Sequence, residues 1–123
     1  MPHATTPSPA LAHCPADLMR LLGHLYLRHG HSAHAAVLFD ALHKLDPLDA
    51  LAARSLAYSR LQEGRPEEAL APLQRLLDHG DGHAVTHVLH AQALLALGRT
   101  ADSARAMRAY VAARAVPTHP ERP

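Results

Sequence analysis

Residues 64–77 read GRPEEALAPLQRLL, and this stretch decides the fold. A glycine ends one segment. Pro66 stands where a first helical residue needs no backbone donor, and Glu67 and Glu68 follow in the first turn, where carboxylates meet the positive end of a helix. Leu70, Leu73 and Leu77 then recur at helical spacing. The same punctuation occurs elsewhere in the chain. Gly30, Gly64 and Gly98 are each 34 residues apart. On that period Leu22, Leu56 and His90 fall together, as do Ala35, Ala69 and Ser103, then Phe39, Leu73 and Met107, then Leu42, Leu76 and Tyr110. Small residues match small and large match large, so the period is structural.

Each period reads as helix, tight turn, helix. Helices are expected near 17–29, 32–45, 50–63, 66–79, 84–97 and 100–114. The periodic glycine closes the first helix of each pair because the turn needs a residue with φ above zero. Ser32 and Thr100 are expected as N-caps of second helices. The alanine site lets paired helices approach closely, and the large apolar residues four and seven positions later fill the space between them. Pro72 falls inside the fourth helix, where it removes one backbone hydrogen bond. A kink on a solvent-facing side is expected there.

Bulk composition agrees with packed helices. The 123 residues are 48% apolar but only 3% aromatic, without Trp, so the core must be built from Leu, Ala and Val. Net charge is +1, which gives no strong electrostatic case for nucleic acid or a membrane surface. Arg99, Arg105, Arg108 and Arg114 stand against Asp102 near the end and read as a solvated helix face. The single cysteine, Cys14, has no internal disulfide partner, as expected of a reduced, intracellular chain. No apolar run approaches the roughly 20 residues of a membrane span. The opening MPHATTPSPALAHCP is a poor signal peptide.

The 34-residue helix-turn-helix period resembles the tetratricopeptide repeat. Leu22-Gly23, Tyr26, Gly30, Ala35, Phe39 and Pro47 carry the likeness in the first copy. The second copy departs at Arg60 and Asp81, and the third at His87, His90 and Ser103. The expected fold class is therefore all-α, a helical-hairpin solenoid of three repeats. The domain spans 16–116, divided 16–49, 50–83 and 84–116, between mobile segments 1–15 and 117–123.

In that family the first helices of the repeats line a concave groove. The resemblance places Asp17, Arg20, His24 and Leu27 there, then Leu51, Arg54, Tyr58 and Leu61, then Val85, Val88, Gln92 and Leu95. Ten of these are the expected partner-binding residues: Arg20, His24, Leu27, Leu51, Arg54, Tyr58, Leu61, Val85, Val88 and Leu95. The surface is mostly apolar, so it suits an apolar partner. No capping helix follows the third repeat, which presents Met107, Tyr110 and Val111. A bound partner is expected to complete the core.

Twelve histidines invite a metal reading. His83, His87 and His90 fall at i, i+4 and i+7, and His79 is close by, but zinc needs three or four ligands in fixed geometry. Packed neutral imidazoles are expected instead at His87 and His90. His29, His31 and His34 read as solvated turn residues. No catalytic constellation and no phosphate loop stands in the sequence, so no enzyme activity, metal or cofactor is expected. A carboxylate clamp for acidic tails is poorly served, because Arg20 and Arg54 are the only basic groove residues and asparagine is absent.

The segments LLGHLYLRHGHSAHAAVLFDALHKLDP and GRTADSARAMRAYVAAR resemble the small type III secretion chaperones of the YscY (SctY) family. That resemblance runs from about Leu18 to Arg114. It implies a cytoplasmic chaperone, peripheral to the secretion apparatus, that holds a small SctX-type secreted protein in a 1:1 complex and presents it to the SctV-type export gate. Arg20 and Arg54 would then pair with cargo carboxylates. A chaperone of needle or translocator subunits, or a general interaction scaffold, are the alternatives.

Overall fold

In the computed structural model the described residues run from 9 to 115, with side chains described from Pro15 onward. They form six helices: α1 Pro9–Arg28, α2 Ser32–Leu45, α3 Ala50–Gln62, α4 Pro66–Asp78, α5 Ala84–Ala96 and α6 Thr100–Ala115. Of the expected mobile segments 1–15 and 117–123, residues 1–8 and all of 117–123 lie outside the described residues. Among the described residues there is no strand, and the fold is the all-α helical-hairpin solenoid read from the sequence. Each helix packs on the next in chain order, and α5 also packs on α3. No described helix is long and apolar enough to cross a membrane.

The periodic glycines close α1, α3 and α5 as expected. Gly30, Gly64 and Gly98 have φ of 78°, 78° and 79°. At each turn the residue after the glycine donates its N–H five residues back: His31 to Tyr26 (2.8 Å), Arg65 to Arg60 (2.9 Å) and Arg99 to Leu94 (2.9 Å). The glycine N–H bonds three residues back, to Leu27, Leu61 and Leu95. This is the Schellman closure, which satisfies carbonyls that a helix end leaves open.

The alanine site behaves as its size dictates. Ala35 and Ala69 are completely buried, and Ser103 at the same offset donates its hydroxyl to the Ala91 carbonyl at 2.8 Å. Phe39 and Leu73 are also completely buried. The core is a chain of linked clusters. Ala35, Ala36, Phe39 and Leu42 meet Ala52 and Leu56 of the next hairpin. Ala57, Ala69 and Leu73 meet Leu89 and Ala93 of the third. Each hairpin thus buries its apolar face against its neighbour, as solenoids do.

Three expectations change. α1 begins at Pro9 instead of 17, and Pro15 sits inside it. Pro9 suits a first helical position, whereas Pro15, in the second turn, removes one backbone donor from the helix. Ser32 and Thr100 are helical residues themselves. His31 occupies the N-cap of α2 and makes no side-chain capping bond. Pro72 does not face solvent. Ala69, Pro72, Leu73 and Leu76 are the buried residues of α4, at i, i+3, i+4 and i+7, so the proline belongs to the core stripe and the helix continues through it.

Candidate interaction groove

Two side-chain caps start the helices that build the groove. Asp49 Oδ1 accepts from the Ala52 N–H at 3.2 Å and opens α3. His83 Nδ1, 34 residues on, accepts from the Val85 N–H at 3.1 Å and opens α5. With the glycine closures, these caps fix where α3 and α5 begin and end, and hence which side chains face the groove.

A cavity of about 390 Å³ lies across α1, α3 and α5. His24 and Leu27 come from α1, and Leu51, Arg54, Ser55 and Tyr58 from α3. Val85 and Leu89 come from α5, and His83 from its cap. Six of the ten expected residues meet here: His24, Leu27, Leu51, Arg54, Tyr58 and Val85. Leu51, Tyr58 and Val85 are 47%, 41% and 42% exposed, large values for apolar side chains that share one concavity. His24 stands edge-on to buried Phe39, with ring centroids 5.0 Å apart, which fixes the angle at which it reaches the wall.

The other four expected residues do not line this cavity. Leu61 packs into the core against the cluster of Ala57, Ala69 and Leu73. Val88 is partly buried outside it. Leu95 is 60% exposed farther along α5. Arg20 Nη1 is bound to Asp49 Oδ2 at 2.8 Å. Three lining residues were not expected. Ser55 and Leu89 form the buried floor. They share one position of the 34-residue register, next to Arg54 and Val88, and that register could have located them. His83 occupies the cap position that Asp49 announces one repeat earlier.

The electrostatics differ from expectation at both arginines. Arg54 Nη1 lies 3.4 Å from Asp81 Oδ2 and 3.5 Å from Thr86 Oγ1. The Thr86 hydroxyl, completely buried, donates to the same carboxylate. Arg20 and Arg54 therefore hold internal carboxylates rather than standing free for those of a partner. The Asp49 carboxyl sits below the usual carboxylate range: burial pushes it up, but the hydrogen bonds from Arg20 and from the Ala52 backbone outweigh that. Asp81, a departure from the repeat pattern, is explained by this pairing. Arg60, another departure, is held by Glu63 at 3.3 Å and Glu68 at 3.5 Å. The groove that remains is oily in the middle and nearly neutral at its edge.

The histidines divide by surroundings. His90 is held below its ordinary pKa, chiefly by burial and then by His87 and Arg99. His29, His31 and His34 are exposed. His34 stacks on Tyr26 at 5.1 Å, and His31 stands edge-on to both rings.

A search of curated proteins finds no match to this chain. The family model for the tetratricopeptide repeat matches residues 20–84, from the middle of α1 to the first residue of α5. The hairpin α5–α6, outside that match, repeats the glycine closure and small-residue contact of the first two. With more than half of the sequence matched and the same hairpin built three times, the chain belongs to the tetratricopeptide-repeat family.

Proposed function

We propose that this chain is a protein-interaction scaffold that works by burial, taking an amphipathic helix of a partner into the groove across α1, α3 and α5. The observation that carries the reading is the cluster of half-exposed Leu51, Tyr58 and Val85 around a 390 Å³ concavity floored by Leu89. Apolar surface held open in a concave, preformed wall is what a helix-in-groove complex uses. Because Arg54 is committed to Asp81, affinity comes mainly from apolar contact.

The finer reading is a cytoplasmic type III secretion chaperone of the YscY (SctY) kind. Its partner would be a small SctX-type secreted protein in a 1:1 complex, presented to an SctV-type export gate. The likeness of the first hairpin and of α6 to that family supports it, together with a groove sized for side chains from one helix. The 16–116 region would act as the binding unit. Leu95, Met107 and Val111 are 60%, 39% and 61% exposed at the far end of the solenoid, and the partner would extend over them.

The test is co-expression with an SctX-type protein followed by affinity capture. Tyr58→Asp places a charge in the oily wall at an exposed position, so helicity should persist while the complex is lost. Undiminished capture by that variant contradicts the groove assignment. Capture of other helical partners in place of the SctX-type protein leaves the scaffold reading and overturns the secretion one.

A further inference from the structure

A second, larger concavity of about 560 Å³ opens on the other side of the solenoid, between α4 and α6 over α5. Its floor is apolar, formed by Leu70, Leu77 and Leu94 with Ala106. Arg99 and Arg105 stand at its rim, and His87 and His90 line it from α5.

The repeat itself provides the comparison that makes this concavity informative. Shifting by 34 residues gives the corresponding furrow between α2 and α4 over α3. There Ala36 and Ala53 are completely buried, Leu56 is 4% exposed, and Pro72 is buried. One repeat later the same four positions hold Leu70, His87, His90 and Ala106. The first three of these are only partly buried. The earlier furrow is shut by its own side chains. The later one has Leu70 and His87 where alanines stood, His90 for a leucine and Ala106 for a proline, and stays open.

Charge at the rim is unbalanced. Arg99 reaches Asp102 through two nitrogens, at 2.9 and 3.0 Å, and Arg105 binds the same carboxylate. One carboxylate thus serves two exposed guanidiniums, which leaves donors and one positive charge facing outward. An oily floor beside two arginines that share one carboxylate selects a ligand with apolar residues on one side and carboxylates next to them. The stretch of α5 from His87 to Leu94 is about 10 Å long at 1.5 Å per residue, roughly two turns of a docked helix.

The structure assigns this furrow, we infer, as a second docking site that takes an acidic amphipathic helix of a protein partner, on the face opposite the α1–α3–α5 groove. The two sites use different residues, so one scaffold can hold two chains at once.

The test uses two fluorescein-labelled synthetic helices of about 14 residues, roughly four turns. One carries leucines along one face and glutamates on the other; its counterpart has lysine for every glutamate. Binding to the full chain is followed by fluorescence anisotropy. The acidic helix should bind, more weakly as salt is raised, and the lysine helix should not. Arg99→Ala with Arg105→Ala should weaken binding about tenfold, the worth of two partly screened charge pairs. Both arginines are exposed, so folding should be unaffected, which circular dichroism verifies. Tyr58→Asp should leave the affinity for the acidic helix unchanged. Absence of binding, equal binding of both helices, or binding lost in Tyr58→Asp but kept in the arginine variant would each overturn the assignment.

Discussion

Arg54 of α3 is joined to Asp81, in the turn between α4 and α5, by an ion pair of 3.4 Å that links the first helix of the second repeat to the turn entering the third. One period earlier, Arg20 of α1 holds Asp49 at 2.8 Å, in the turn entering the second repeat. Each arginine ties the first helix of one repeat to the turn in front of the next. At the third position of this ladder stands Val88, and the described residues end with that hairpin. The pairs sit at the groove edge and set the spacing of the helices that line it.

Replacing Arg54 by methionine should destabilise the chain by about 1–2 kcal/mol, below the full cost of breaking a buried pair because both side chains keep some solvent contact. Urea unfolding reads this. Combining it with Asp81→Asn should recover part of the loss, since the stranded carboxylate is then removed. Strict additivity of the two changes contradicts the pairing.

Gly23 faces Phe39 so closely that an added Cβ would lie 2.7 Å from the ring. Phe39 is completely buried and cannot retreat. Gly23→Ala gains about 1 kcal/mol of helix propensity but forces overpacking that costs about 1–3 kcal/mol. A lower melting temperature is expected, partly restored by Phe39→Leu. A rise in melting temperature for Gly23→Ala alone would show that α1 and α2 are farther apart.

Pro72 offers the opposite sign. The same position one repeat later is Ala106, 7% exposed in a continuous helix. Pro72→Ala restores a backbone donor worth up to about 3 kcal/mol in a helix interior and gives up part of a buried ring. A net gain of about 1 kcal/mol is expected. A clear loss in denaturant unfolding would mean that the ring's packing outweighs the backbone.

Acid should weaken the fold in two stages. His43 and His90 have lowered pKa values, each chiefly through burial; nearby Arg75 adds to the effect at His43, as His87 and Arg99 do at His90. The unfolded chain therefore binds more protons than the folded one just below 6.5, the ordinary imidazole value. By linkage their contribution is fully present above that pH and declines as pH falls through it to the folded values. Asp49, also lowered, adds stability above 3.8 that is lost as pH falls further. Double replacement His43→Leu, His90→Leu should flatten the first stage and leave the second. Unfolding midpoints measured between pH 2 and pH 8 check this, and a wild-type curve flat around 6.5 contradicts it.

Much of the fold was legible because a 34-residue period forces equal geometry at equal offsets. Gly30, Gly64 and Gly98 announced the turns, and Ala35, Ala69 and Ser103 the close contacts. Pro72 misled because its type argued for solvent, while its spacing from Ala69 and Leu76 placed it on the core stripe. The site was harder to read. Position alone assigned Arg20 and Leu61 to the groove, but the first is drawn to Asp49 and the second into the core. Which partner a charged side chain chooses depends on distances between repeats, and a sequence does not print those. The furrow over α5 was hidden for the same reason: His90 is conspicuous, but openness depends on which neighbours fail to fill.

The central claim is that the wall across α1, α3 and α5 receives the partner. Backbone amide chemical shifts of the isotope-labelled chain, recorded with and without an SctX-type protein, test it most directly. The account predicts that the largest changes map to Leu27, Leu51, Tyr58, Val85 and Leu89. Changes confined to α2, α4 and α6, with those five residues unmoved, would contradict it.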